Sequence, residues 1–170
     1  LVQVLLENGA AVNELDADAR SPLSHLAATH DDVETASLLI AGGAEVNSEA
    51  EQDHSTPLMH AAHAGHFNVC ALLCARNADV NATTVSNQDT PLLFAVAHNH
   101  LHVVQLLVTA GADIAHTDIV GKDAFFVALA QEEEKEEDEG GCSSQERVHH
   151  SNSTALPTGT ILHRVSAFLQ

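Results

Sequence analysis

This chain of 170 residues lacks tryptophan and tyrosine, and it has only six basic side chains against 24 acidic ones. Few aromatic rings leave little that could stack on nucleotide bases. A formal net charge of −18 repels nucleic acid and anionic membrane surfaces, and no apolar run reaches the ~18 to 20 residues of a membrane-spanning helix. The composition therefore predicts no nucleic-acid partner, no membrane partner and a preference for basic protein partners.

The chain is also poor in cysteine and in catalytic motifs. Its three cysteines are irregularly spaced, which does not suggest a disulfide framework and is typical of a reducing compartment. No glycine-rich phosphate loop, nucleophile elbow or metalloprotease motif is present in the sequence. We expect a protein that is not an enzyme, needs no cofactor and works inside the cell, in the cytoplasm, the nucleus or both. Because the chain begins at Leu1 within a helical pattern, we interpret it as a piece of a longer protein.

What the sequence does contain is a repeat of 33 to 35 residues. Openers stand at Ser21-Pro22-Leu23, Thr56-Pro57-Leu58 and Thr90-Pro91-Leu92, and a degraded opener follows at Asp123. Each opener is followed by an alanine-rich and then a leucine-rich stretch. A fixed period of this length indicates a solenoid, in which each unit buries its apolar face only by stacking on its neighbours. The full units close at 43–47, 77–81 and 111–115.

The local chemistry predicts two short helices and a turn in each unit. Ser or Thr at the opener can cap the first helix, and the proline that follows suits the first helical position. Between the helices one repeat position holds Asp31, Gly65 and Asn99, which tolerate a left-handed backbone. The first full unit has one additional residue, which we place near Ser24 as a bulge or an adjusted first turn.

The segments TPLMHAAHAGHFNVCALLCARNADVN (56–81) and TPLLFAVAHNHLHVVQLLVTAGADI (90–114) resemble ankyrin repeats in order and spacing. The resemblance implies an all-α, ankyrin-type helix-turn-helix repeat solenoid with short β-turn extensions. It covers residues 1–131: a partial unit at 1–13, full units at about 14–47, 48–81 and 82–115, and a degraded unit at 116–131. Residues 132–158 are interpreted as an acidic, Ser/Gly-rich disordered insertion, and 159–170 as the possible start of a further repeat.

The resemblance also implies where a partner binds, because proteins of this kind usually meet partners through their turn tips and the exposed side of the first helix. For each such position an ordinary solvated turn is the alternative. In this sequence the tips are Ala17, Asp18 and Arg20; Gln52, Asp53 and Ser55; Ser86, Asn87 and Asp89; and Ile119, Val120 and Lys122. The helix positions are Thr29 and His30, His63 and Ala64, and Ala97 and His98.

Two further patterns have structural alternatives. Histidines of the second full unit, followed by Cys70 and Cys74, could suggest a zinc sensor, but both cysteines occupy positions that hold valine in the next unit. We therefore predict core cysteines and no metal site. Asn47 and Asn81 each follow a leucine by eight residues and resemble substrates of an asparaginyl hydroxylase; the alternative is that they bond the turn backbone.

Together these observations favour a non-catalytic protein–protein interaction module, monomeric as a fragment. It would bind a basic or mixed partner through an acidic concave groove, since residues 1–53 carry eleven acids and one arginine. The alternative is a regulatory or substrate-recruiting segment of a larger enzyme, such as a ubiquitin ligase, with catalysis encoded outside this chain.

Overall fold

The computed structural model describes residues 1–17 and 19–130, and every helix in that part of the chain is short. The helices are α1 (Val2–Glu7), α2 (Pro22–Thr29), α3 (Val33–Ala41), α4 (Pro57–Ala64), α5 (Phe67–Ala75), α6 (Pro91–Ala97) and α7 (Leu101–Thr109). Residues 124–130 are also helical. No β-strand occurs in residues 1–17 or 19–130.

The first helices begin as the sequence predicts. Ser21, Thr56 and Thr90 have extended backbones, and each side-chain oxygen accepts a hydrogen bond from the backbone N–H three residues later. A proline occupies the first helical position each time, where the missing N–H costs nothing because that group has no partner within a helix. The predicted caps are confirmed.

Two predictions about the first full unit are wrong. The turn at Ser24 is regular, because the backbone N–H of His25 donates to the Ser21 carbonyl as in any α-helix. The additional residue instead lengthens the link between α2 and α3, which holds three residues where the next unit holds two. Asp31 lies in this extended link and does not have a positive φ, whereas Gly65 (75°) and Asn99 (60°) adopt the predicted left-handed backbone.

Stacking follows the order of the units. The first helices α2, α4 and α6 pack in a row, and α3, α5 and α7 pack in a second row beside them, with α1 against α3. Alanines between the first helices are fully buried, which permits close approach, while leucines and valines of the second helices complete one continuous core. That core includes Ala27, Ala61, Ala95, Leu73 and Leu107.

The turns between units project as four tips, and the last three are linked to one another. Each tip is closed by a backbone hydrogen bond, from Asp16 to Arg20, Ala50 to Ser55, Thr84 to Asp89 and Asp118 to Lys122. Neighbouring tips are joined when the N–H of Val85 donates to the Asp53 carbonyl (3.0 Å) and that of Ile119 to the Asn87 carbonyl (2.9 Å). The predicted all-α repeat solenoid with short turn extensions is confirmed.

The predictions of a disordered insertion at 132–158 and a further repeat at 159–170 lie outside the described residues. Within residues 1–17 and 19–130, no helix is long and apolar enough to span a bilayer.

Candidate functional site

Carboxylates within the tips hold the tip backbone in place. The Asp53 carboxylate accepts from the Ser55 N–H at 3.0 Å, and that of Asp118 accepts from the N–H groups of Val120 (2.9 Å) and Lys122 (2.8 Å). Partial burial favours the neutral form of Asp53, but the Ser55 hydrogen bonds and the nearby His60 outweigh burial and lower its pKa. Asp53 is therefore ionised near neutral pH, so its tip keeps both its shape and a negative charge.

The first tip lies beside a cleft of about 410 Å³. Asp16 contacts two side chains there, because its Oδ2 lies 3.4 Å from Nη2 of Arg20 and 3.5 Å from Nδ1 of His25. Thr29 and His30 line the same cleft, with Glu14 on its wall and apolar side chains completing the lining. The structure thus brings together Arg20, Thr29 and His30, which were predicted separately, whereas Asp18 lies outside the described residues.

A row of aromatic rings continues this face along the first helices. The rings of His63 and His98 are 4.0 Å apart between centroids, and the His63 ring meets that of Phe94 edge-on at 6.0 Å. Burial and then the neighbouring His98 and His100 lower the pKa of His63, so the ring of His63 is neutral at neutral pH.

Three members of this face were missed from the sequence: His25, His60 and Phe94. His25 contacts Asp16 of the first tip, and Nε2 of His60 lies 3.1 Å from the Ser55 hydroxyl of the second. Each stands one helical turn before a predicted residue and so shares its side of the helix. The spacing of three or four residues before each predicted helix position is the sequence signal that would have identified them. We define the candidate surface as the tips at 16–20, 50–55, 84–89 and 118–122 together with His25, Thr29, His60, His63, Phe94 and His98.

The middle tips offer mainly polar groups. The exposed residues are Gln52, Ser86 and Asn87. Asp89 is half-buried, and its backbone N–H donates a hydrogen bond to the Thr84 hydroxyl at 3.1 Å. Ser55 is buried, and its hydroxyl is paired with His60, which leaves it little area for a partner. Its side chain therefore connects the second tip to α4.

The last tip exposes apolar side chains. Ile119 and Val120 are both exposed, and Val85 of the preceding tip, which was not predicted, is exposed as well. The Lys122 ammonium lies 5.6 Å above the ring of Phe126, so this cation covers part of an apolar side chain. The candidate surface therefore changes along the array from charged and polar groups to hydrophobic ones.

Asn47 and Asn81 connect consecutive units. Asn47 donates to the Asn77 carbonyl (3.4 Å) and accepts from the Asp79 N–H (2.9 Å), and Asn81 does the same with Gly111 (3.3 Å) and Asp113 (2.8 Å). The expected bonding of these asparagines to turn backbone is confirmed, and the bonds cross from one unit to the next. Hydroxylation of Asn47 and Asn81 stays a prediction.

The histidines and cysteines of the second full unit take structural positions. Cys70 is buried, and burial raises the pKa of its thiol to about 12, so the thiolate that binds metals is scarce. The ring of His66 donates from Nδ1 to the Ala27 carbonyl at 2.8 Å, which joins α2 to the next unit. Within residues 1–17 and 19–130, no group of three or more His, Cys, Asp or Glu side chains is arranged to hold a metal ion.

Comparison with known proteins agrees with this architecture. A family model described as ankyrin repeats in three copies matches residues 43–118, and a model of the single ankyrin repeat matches residues 20–50. Together the two matches run from residue 20 to residue 118 and include α2 to α7. No curated protein matches the chain.

Proposed function

Because this chain belongs to the ankyrin repeat family, whose repeats are generally non-catalytic protein–protein interaction modules, we propose that its candidate surface binds a partner protein with a basic patch. The observation that carries the proposal is the gradient along that surface. The first tips are acidic, the helix face between them is aromatic, and the last tip is apolar.

The charge of the first tips favours a basic partner. Residues 1–53 carry eleven acids and one arginine, whereas residues 54–131 carry five acids and two basic side chains. Glu14, Glu49 and Glu51 are exposed near the first two tips, and Asp53 stays ionised beside them. The negative electrostatic potential over the first two tips attracts a basic partner and orients its approach.

The cleft at the first tip suits a long basic side chain. Apolar groups such as Val2 and Leu26 form much of its wall, and Glu14 and Asp16 stand among them. Lysine and arginine place an alkyl stem on apolar surface and a cationic head beside carboxylates. We therefore expect the partner to present a lysine or arginine here and an apolar side chain at Ile119 and Val120.

Net charge and free thiols also bear on which partners, which compartment and which oligomeric state we propose. A net charge of −18 disfavours nucleic acid and anionic membrane as partners. Free thiols at Cys70 and Cys74 suit a reducing, intracellular compartment, either cytoplasmic or nuclear. We propose that the module acts as a monomer, because its partner-binding surface lies on one array.

The test compares two variants with equal loss of charge. The first carries Glu51→Gln, Asp53→Asn and Asp89→Asn, which neutralise acids of the candidate surface while keeping groups that can accept hydrogen bonds. The control carries Glu7→Gln, Glu34→Gln and Glu45→Gln, which neutralise three exposed acids outside that surface. Proteins captured by the parent and by each variant are identified by mass spectrometry, and affinities are measured from about 0.05 to about 0.5 M salt.

We expect a partner that the first variant loses and the control retains, with affinity that falls as salt rises. The reason is that exposed charges are screened over about 8 to 10 Å near physiological ionic strength. A partner whose affinity is unchanged by salt and by the first variant would rule out the electrostatic part of the proposal.

A further inference from the structure

The last described helix leaves three large apolar side chains in contact with solvent. Phe125, Phe126 and Leu129 of residues 124–130 are 55%, 52% and 39% exposed. Ala124 and Ala128 of the same helix are buried in the shared core. The helix is therefore packed on one side and uncovered on the other.

These exposed residues hold positions that the preceding units bury. Asp123 caps this helix, since its carboxylate accepts from the Phe126 N–H at 2.8 Å as Thr90 accepts from Leu93. With the caps aligned, Phe125, Phe126 and Leu129 correspond to Leu92, Leu93 and Val96, which are 2%, 4% and 3% exposed. Helix α4 packs against α5 and α6, and α6 packs against α7, so each of these first helices contacts a helix that follows it in sequence.

We propose that residues 160–170 of this chain bind the apolar face formed by Phe125, Phe126 and Leu129. This segment reads TILHRVSAFLQ, and its larger apolar residues recur at helical spacing. They are Ile161, Leu162, Val165, Phe168 and Leu169. The segment lies outside the described residues.

The spacing of the openers places this segment in register with the array. Thr160 follows the cap Asp123 by 37 residues, close to the 35, 34 and 33 residues between the earlier openers. Thr160 then corresponds to Thr90, and Leu162 to the leucine that every full unit buries two residues after its cap. One unit length of chain therefore leads from the uncovered face to a matching opener.

The chain between these two parts is a poor alternative occupant. Residues 132–139 hold seven acids and one lysine, and charged side chains lose hydration without compensation when they cover an apolar face. The 30 residues from Ala130 to Thr160 can span far more than the distance between neighbouring units, at about 3.3 Å per extended residue. Residues 160–170 are thus apolar enough to cover the face formed by Phe125, Phe126 and Leu129, and the linking chain is long enough for them to reach it.

A double-mutant cycle in the full chain tests this contact. Phe126→Ala and Leu162→Ala are made singly and together, and unfolding midpoints are measured by circular dichroism. We expect the double variant to shift the midpoint by less than the sum of the single shifts, because removing either side chain already removes the contact. Phe67→Ala on α5, 42% exposed, is the matched control and should combine additively with Leu162→Ala.

Hydrogen exchange supplies a second measurement that does not depend on large stability changes. Amides of residues 124–130 should exchange faster in the Leu162→Asp variant than in the parent, while those of α5 keep their rates. Additive midpoints together with unchanged exchange would overturn the proposal. Exchange that slows with protein concentration, alongside a dimer in light scattering, would assign the face to a second copy of the chain instead.

Discussion

The partial first unit of this chain differs from its full units in how the same residue is used. Leu5, Leu39, Leu73 and Leu107 lie 34 residues apart and hold one repeat position, yet Leu5 is 52% exposed while Leu39 is 7% exposed and the other two are fully buried. The four residues are identical, so the helices packed around each of them account for the difference. Stability in such an array comes from the interfaces between units as well as from the units themselves.

The two ends also differ from each other in chemistry. The first tip brings Asp16, Arg20 and His25 together beside a cleft, whereas the last tip exposes Ile119 and Val120. A partner that lies along the candidate surface meets charge at one end and hydrophobic area at the other. For the basic partner proposed above, such asymmetry would fix the direction of binding, because reversal would set its basic groups against apolar ones.

The largest effect is expected from truncating the buried leucine of the middle units. Leu73→Ala should lower the free energy of unfolding by about 2 to 5 kcal/mol, because it removes apolar contacts and leaves a cavity. Leu5→Ala, at the same repeat position on the partial first unit, should cost less than about 1 kcal/mol. Urea unfolding followed by circular dichroism measures both, and equal losses would contradict the comparison.

A smaller loss is expected from the hydrogen bonds between units. Asn81→Ala removes the bonds to Gly111 and Asp113 and should cost about 1 to 2 kcal/mol. Asn87→Ala is the matched control on an exposed tip, where the described part of the chain gives the Asn87 side chain no hydrogen bond. If the two variants unfold at the same urea concentration, the asparagines do not couple the units.

The smallest effect concerns pH. Burial lowers the pKa of His60, with the nearby Asp53 opposing that shift, so the unfolded chain binds a proton at His60 more readily than the folded one. Protonation therefore favours unfolding, and the stability tied to neutral His60 is lost as pH falls below about 6.5.

Urea unfolding between about pH 7.5 and about 5.5 should show declining stability, and His60→Gln should reduce the decline. The low pKa of Asp53 acts in a different window, since its contribution is present above about 3.8 and is lost at lower pH. A variant with the same pH dependence as the parent would show that His60 does not contribute.

Much of the fold could be predicted from the sequence because it follows from local chemistry. Caps at Thr56 and Thr90, prolines after them and left-handed residues at Gly65 and Asn99 each act within a few residues. The additional residue of the first full unit was misplaced because a link and a helix turn can both absorb one residue. The structure shows that the extended link at Asp31 does so, and its carboxylate accepts from the Val69 N–H of the next unit at 2.9 Å.

The candidate site could be predicted only in part, since it depends on contacts between distant residues. The predicted tip residues that the structure describes lie in turns between units, but the pairing of His60 with Ser55 and of His63 with Phe94 requires the three-dimensional arrangement. The sequence also does not show that Asp53 and Asp118 use their carboxylates to hold their own turns. Charge counts alone therefore overstate how many tip acids are free to bind a partner.

The central claim is that the tips and the first helices form the binding surface, and hydrogen exchange of the complex with a captured partner tests it most directly. We predict slower exchange at the tips 50–55, 84–89 and 118–122 and in α4 and α6. Protection confined to α3, α5 and α7, with unchanged exchange at the tips, would contradict the account.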